Sequence, residues 1–358
     1  MESRLNTLAA LLPDEADAAL IISQTNRRYL TEFVSSLGYL FVTKEGSFLL
    51  ADSRYEEAAK KQAKGCSVIL FSKLADTIKQ LITEHKLKRI LLECSAFTLT
   101  EAERIESIFN QAGAESVRSK TLDKLICDMR IIKTSSEIAK IRRAQHITED
   151  SFNRTIKLIR EGVTERELAL DLEFRMRASG AESVSFDLIV LTGSKTSMPH
   201  GVPDDTRVKS GDFILFDIGA TFEGYHSDMT RTVALGKVSS SQKRIYNTVL
   251  NAQLEALSAV REGVSCAEID KAARSYIDNA GYQGLFGHST GHGVGMDIHE
   301  APSVSPNNEF ILQSGMVITV EPGIYVPGKC GVRIEDMAVV TSDGCINLAS
   351  LPKELIEL

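Results

Sequence analysis

Residues 210–219 read SGDFILFDIG, and residues 314–323 read SGMVITVEPG. Each is a Ser-Gly turn, an apolar run, and an acid standing two places before a glycine. The runs are too short for helices and rich in β-branched or aromatic residues, so each reads as a buried strand that delivers a carboxylate. The two acids are Asp217 and Glu321.

Beyond Asp217 the chain continues IGATFEGYHSDMTRTVALG, two apolar-polar runs about a turn at Gly224. This predicts a hairpin whose returning strand carries Asp228 beside Asp217. Beyond Glu321, PGIYVPGKCGVRIEDMAVV predicts the same arrangement for Glu335. Two long helical patterns precede each pair. RIIKTSSEIAKIRRAQHITEDSFNRTIKLIREG predicts a helix capped by Thr134 or Ser135 that ends before Gly162, and TERELALDLEFRMRASG follows with a capping box at Thr164 and Glu167. SSSQKRIYNTVLNAQLEALSAVREG and SCAEIDKAARSYIDNAG make the second pair, with a capping box at Ser265 and Glu268. A helix pair followed by acid-bearing strands therefore occurs twice. That order predicts an internal duplication, two half-domains facing each other about a pseudo-twofold axis.

Ahead of this region, short apolar runs such as AALIIS, YLFVTK, SVILF and RILLEC alternate with helical stretches, which predicts an α/β domain with partly parallel pairing. The expected domains are residues 1–127 and 128–358. Nothing in the first reads as catalytic. His85 stands at a charged helix end and is expected in solvent, and Asn26–Tyr29 (NRRY) reads as a turn after a strand.

Lys and Arg number 41 against 48 Asp and Glu, a net charge of −7 over 358 residues. This balance argues against a phosphate-binding surface, and so against a nucleic-acid partner. No uninterrupted apolar run is long enough to span a bilayer, and the first residues lack a basic stretch leading into an apolar one, so no membrane association or export is expected. Six cysteines without CxxC spacing read as buried reduced thiols, not a disulfide framework or a zinc knuckle, consistent with a cytoplasmic location.

Four carboxylates converging in a core cannot all stay ionised without countercharge. Arg231 and Arg333 stand nearby, so an ion-pair network bracing two hairpins is one reading. The joint pattern points instead to metal: five of the seven histidines (His200, His226, His288, His292, His299) fall between positions 200 and 299. Oxygen-rich ligation with few nitrogens suits Mn²⁺, Co²⁺ or Zn²⁺ in a two-metal site and not an Fe–S cluster or a structural zinc. The glycines of GHGVG are not followed by the GK[ST] of a phosphate loop and read as close backbone packing. His226, beside the hairpin turn, reads as structural.

DIGATFEGYHSDMTRT, GHGVGMDIHEAP and ITVEPGIYVPGKCGVRIED resemble the signatures of the pita-bread metallopeptidases, in the branch of Xaa-Pro aminopeptidases and prolidases (Xaa-Pro dipeptidases). The spacings fit: 11 residues from Asp217 to Asp228, 29 from His292 to Glu321, and 14 from Glu321 to Glu335. The leading segment is similar to the creatinase-type N-terminal domain of that branch. The resemblance implies an α+β pita-bread catalytic domain with an internal pseudo-twofold, preceded by a smaller α/β domain. It also implies that Asp217, His292 and Glu321 hold one divalent ion and that Asp228 and Glu335 bridge it to a second, manganese being the first expectation and cobalt or zinc the alternatives. By the same resemblance, Glu321 carries a proton, His200 and His299 hydrogen-bond the substrate amide and the developing oxyanion, and His288, Tyr325 and Arg333 line the substrate pocket. The implied activity is hydrolysis of the bond before proline, by a homodimer.

Some prolidases carry IHE-x-P-R, a basic group suited to a dipeptide's free carboxylate. This chain has Ser303 after Pro302, which points to removal of the first residue from longer peptides. Two other uses of the fold, metal-free C–N hydrolysis of the creatinase kind and non-catalytic peptide binding, do not need the five ligands that this chain keeps.

Overall fold

The structure, a computed structural model, describes residues 3–358. They form two compact units, one ending at Met129 and the other beginning at Arg130, a boundary inside the helix Thr121–Ile131.

The first unit is a six-stranded sheet in the order Ser67–Leu70, Ser47–Ala51, Tyr39–Thr43, Ala18–Ile21, Arg89–Leu92, Glu115–Val117. The fully buried strand Ala18–Ile21 pairs antiparallel with Tyr39–Thr43 and parallel with Arg89–Leu92, so the sheet is mixed, as the alternating pattern predicts. Helices Leu74–Glu84 and Leu99–Gln111 pack Ile78, Leu81, Ile105 and Phe109 against Phe41 and Ile90. Two local expectations fail. NRRY is not a turn but the middle of the helix Gln24–Thr31, because Ser23 accepts from the Asn26 amide and caps it, while Tyr29 and Arg27 are buried. His85 ends the helix Leu74–Glu84 but lies half-buried against the Phe48 ring, with centroids 4.5 Å apart.

In the second unit the duplication is visible element by element. The first helix pair is Ser135–Thr155 and Glu165–Ala178, and the second is Ser240–Ala259 and Cys266–Ile277. All four open on a complete capping box: Thr134 with Glu137, Thr164 with Glu167, Ser239 with Gln242, and Ser265 with Glu268. Thr134, not Ser135, is the first cap. The first helix stops at Thr155, nearly two turns short of the expected end before Gly162, and tightens into a 3₁₀ turn at Ile156–Leu158.

Behind the first pair lies a three-stranded sheet with Phe213–Ile218 between Ile189–Thr192 and Met229–Ala234. Behind the second, Val317–Val320 lies between Gly291–Gly293 and Asp336–Val340. All of these pairings are antiparallel, so the local order is the same in both halves. Each half has its own core. Phe152 meets Phe216 edge-on at 5.4 Å in the first, and Val249, Ile269, Ile318 and Val320 cluster in the second. Burying each such side chain is worth about 1.5–3 kcal/mol.

The predicted hairpins are present but broken at their acids. Phe213–Ile218 ends at Gly219, and a separate short pair, Ala220–Phe222 with Tyr225–His226, forms the tip. Val317–Val320 ends before Glu321 and Pro322, and Gly323–Val326 pairs with Cys330–Arg333. Glycine is required at the first break, because a Cβ at Gly219 would come 2.1 Å from the Ser227 carbonyl oxygen. Each strand thus ends within one residue of its carboxylate. Among the described residues no helix is long and apolar enough to cross a membrane, and no disulfide links the cysteines; Cys266 and Cys330 are buried as expected, whereas Cys127 is exposed.

Candidate metal centre

In the first hairpin Asp217 pairs with Thr230, and side chains two residues apart on a strand share a face, so Asp228 joins them on one side. In the second, Val320 pairs with Asp336; the next step of the register sets Glu321 opposite Glu335. The two halves are sewn together where these faces meet: the Glu335 amide donates to the Thr230 carbonyl at 3.1 Å, and Arg231 donates to the Glu335 carbonyl at 2.6 Å. Asp217, Asp228, His292, Glu321 and Glu335 all line one cavity of about 620 Å³, together with His200, His288, His299 and Arg333.

Asp228, His292 and Glu335 each offer a ligand atom within 4.8 Å of the others. His292 Nε2 stands 3.5 Å from Asp228 Oδ2 and 3.5 Å from Glu321 Oε1. Its Nδ1 lies 3.0 Å from the Gly293 carbonyl, which can only accept, so in the neutral ring the proton sits on Nδ1 and the Nε2 lone pair faces the acids. Burial pushes the His292 pKa down to about 4, which keeps the ring neutral and ready to ligate.

Among the described residues, Asp217 alone of the four acids bonds a cationic side chain, Arg333. Asp228 and Glu335 are almost wholly buried. Burial, then the neighbouring carboxylates, drives the pKa of both well above the ordinary carboxylate range. Burial likewise pushes Glu321 up to about 8, with Arg333 opposing and Asp217 adding to the rise. Arg333 reaches one oxygen of Asp217, at 2.5 Å to Oδ2, and Thr230 donates to Glu335 Oε2 at 2.7 Å. The other oxygens, Asp217 Oδ1 and Glu335 Oε1, are buried without a hydrogen-bond partner. Two orphaned carboxylate oxygens, a histidine lone pair and excess buried negative charge are what divalent cations satisfy. The residues fit a metal centre.

Comparison with known proteins agrees. Residues 139–342 match the model of metallopeptidase family M24, and residues 4–142 match the creatinase/prolidase N-terminal domain. The chain belongs to metallopeptidase family M24. Its fold is accordingly the pita-bread arrangement preceded by a creatinase-type domain. The M24 chain is 40% identical to the uncharacterized peptidase YqhT of Bacillus subtilis (strain 168) over 343 residues, 96% of each sequence. It is 38% identical to the Xaa-Pro dipeptidase of Pyrococcus horikoshii over 342 residues, 95% of this chain and 94% of that one. The crystal structure of the X-Pro aminopeptidase from Thermotoga maritima MSB8 superposes with a TM-score of 0.92 at 36% identity, covering 99% of this chain and 100% of the other. M24 enzymes use divalent metal ions, which accords with the acid cluster.

Around the M24 centre the other candidate residues divide into two groups. His299 is exposed at the rim, its ring 4.4 Å from that of His292, and His200 is exposed on the facing segment Pro199–Pro203. His288, Tyr325 and Arg333 form a chain of hydrogen bonds. His288 Nδ1 faces the Ser289 carbonyl at 2.8 Å, so in the neutral ring its Nε2 accepts from the Tyr325 hydroxyl at 2.8 Å, and Arg333 donates to that hydroxyl at 2.7 Å. Tyr325 stands behind the cavity wall, with its hydroxyl committed to orienting His288 and Arg333. His226 hydrogen-bonds Thr221 through its ring, and its amide donates to the Gly295 carbonyl.

Sequence reasoning passes over Thr230 and Thr319. Thr319 supports the site twice, donating to Glu321 at 3.2 Å and accepting from the His292 amide at 3.1 Å. Both threonines stand two residues from an acid and so share its face; period-two spacing was the available signal. Glu300 was also missed. It is held by Arg130 and by Lys133 at 2.9 Å and accepts from the amides of Met296 and Asp297, which anchors the segment ending in His299.

Proposed function

We propose that this chain hydrolyses the peptide bond preceding proline and releases the N-terminal residue from Xaa-Pro peptides, as an Xaa-Pro aminopeptidase. The observation that carries the reading is the cluster of four carboxylates at the base of the cavity, with two orphaned oxygens beside a neutral histidine lone pair. Asp217, His292 and Glu321 would hold one divalent ion, with Asp228 and Glu335 shared between it and a second; manganese is the first choice. When bound, two such ions supply a water acidic enough to be ionised near neutral pH and a polarised scissile carbonyl.

The chain's own groups do the rest. Glu321 would offer one oxygen to a bound cation and with the other would carry a proton to the leaving proline nitrogen. His200 and His299 donate hydrogen bonds to the substrate amide and to the oxygen where negative charge develops. Arg333, kept charged by Tyr325 and Asp217 against the pull of burial, holds Asp217 in place. The N-terminal creatinase-type domain is assigned to residues 1–127 and the catalytic domain to 128–358. A cytoplasmic homodimer is part of the same reading.

A preference for peptides longer than two residues rests on the cavity's charge. Among the described residues lining it, Arg333 is the one Lys or Arg, and four of its five donors are engaged, by Asp217, Tyr325, Thr230 and the Pro199 carbonyl. Ser303, which lines the cavity, takes the position at which some prolidases carry the arginine of IHE-x-P-R. The second reading, a prolidase limited to dipeptides, draws support from the relative named Xaa-Pro dipeptidase. Incubating Mn²⁺-loaded and metal-stripped enzyme with Ala-Pro and Ala-Pro-Ala and separating the products decides between them. Release of alanine together with Pro-Ala from the tripeptide supports the aminopeptidase; cleavage of the dipeptide alone supports the prolidase; no metal-dependent cleavage of either overturns both.

A further inference from the structure

His200 sits on an exposed segment, Pro199–Pro203, that needs an external support. Met198 and Val202 beside it are 55% and 76% exposed, so little apolar burial holds the segment down. Its inner side is tied by a turn, with the Met198 amide donating to the Lys195 carbonyl at 2.9 Å and the Gly201 amide to the Met198 carbonyl at 3.1 Å. Gly201 lets the turn press on the strand beneath, since a Cβ there would come 2.7 Å from Leu191 Cδ1.

The outer side is held mainly by one ion pair, a partly exposed lysine on a buried acid, to which the Arg166 amide adds a bond to the Asp204 carbonyl at 3.0 Å and Arg333 one to the Pro199 carbonyl at 3.5 Å. Glu165, in the first turn of the helix Glu165–Ala178, is fully buried. One of its oxygens accepts from the Thr192 amide, before the segment, at 2.8 Å; the other accepts from the Asp204 amide, after it, at 3.1 Å. Lys195 Nζ bonds Glu165 Oε2 at 2.5 Å, Asp204 Oδ2 at 2.9 Å and the Val202 carbonyl at 3.2 Å. All three ammonium donors and both carboxylate oxygens are used, and together the bonds reach residues on both sides of His200. A buried ion pair adds little stability over an apolar pair of the same volume, whereas its directional bonds fix geometry.

We propose that the Glu165–Lys195 pair is a positioning device for His200, fixing residues 199–203 over the cavity so that the imidazole reaches the substrate. This rests on the reading of His200 as a substrate-contacting donor. Neither residue touches the reacting atoms; both act through the backbone of the segment that carries His200.

A double-mutant cycle on the full-length, metal-loaded enzyme tests it, using whichever of Ala-Pro and Ala-Pro-Ala is turned over faster. Lys195→Met lowers kcat/KM about tenfold with His200 present, the scale expected for a small misplacement of a donor, and less than about twofold in the His200→Ala background. Lys195→Arg, which keeps the charge and the donors, restores most of the loss, and Glu165→Gln repeats the pattern by a second route. Hydrogen exchange read by mass spectrometry gives an arm independent of turnover: amides of residues 198–204 exchange several-fold faster in Lys195→Met, while those of 213–218 do not change. Equal penalties in both backgrounds, or unchanged exchange at 198–204, overturn the proposal. A slow His200→Ala enzyme with an unimpaired Lys195→Met overturns the positioning role alone, whereas wild-type rates in His200→Ala overturn the reading of His200 itself and the proposal with it.

Discussion

Glu335 and Asp336 are adjacent in the chain and equally buried, at 1% and 0% exposure, yet the protein treats them in opposite ways. Successive side chains in extended backbone point to opposite faces. Asp336 faces Arg231 at 2.7 Å and Lys353 at 2.9 Å, with further donors from Asn347 and Gln253. Burial works against its charge, but the two cations prevail and hold its pKa below the ordinary value. Glu335 faces three other acids, has one oxygen without a partner, and is pushed up by burial and by Asp228. A buried acid supplied with cations by its own chain braces the fold. One left without them marks where an outside cation belongs.

The largest effect that can break this contrast is on turnover. Glu335→Gln lowers kcat/KM about a thousandfold or more, about 4 kcal/mol of transition-state stabilisation. Metal bound per chain, read by elemental analysis, falls with it, while the metal-free protein melts no lower than wild type because a source of repulsion has gone. A metal-free melt lowered by many degrees would mean that Glu335 is structural after all. Asp336→Asn has the converse outcome: urea denaturation of the metal-free protein records a loss of about 3–5 kcal/mol, because Arg231 and Lys353 are left buried without their anion. Its metal content at saturating Mn²⁺ stays at the wild-type value, and a loss matching that of Glu335→Gln would erase the difference between the two faces.

The smallest effect is a pH dependence that sharpens the comparison. In the metal-free protein the Glu321 pKa of about 8 lies above its ordinary 4.5, so the folded state holds the proton more tightly than the unfolded chain does. That contribution is complete below about pH 4.5 and is lost as the pH rises towards 8. Asp336 behaves in reverse: its contribution is complete above its ordinary value of 3.8 and is lost as the pH falls through its lower folded value. Melting temperatures of metal-free wild type and Glu321→Gln, compared from pH 4 to 9, diverge progressively between about pH 4.5 and 8 if this holds; curves that stay parallel through that window would remove Glu321 from the acid cluster.

The chain by itself determined the duplicated order of helix pairs and strands, the capping boxes and the four acids with their histidine. Each of these is written in short-range periodicity or in a specific motif, and local geometry acts over a few residues. It did not disclose that both hairpins break at their acids, since the break at Gly219 follows from the approach of Ser227 across the fold. Nor did it separate Glu335 from Asp336, because identical charges are told apart only by what packs against them. NRRY was misread because its helix is held by a cap at Ser23 and by the burial of Arg27 and Tyr29, and only the first is visible in sequence. The tie from Glu165 to Lys195 spans 30 residues and serves a histidine on neither helix nor strand. Such pairings were decided by the tertiary structure alone, because a buried charge selects its partner by proximity in space and not by distance along the chain.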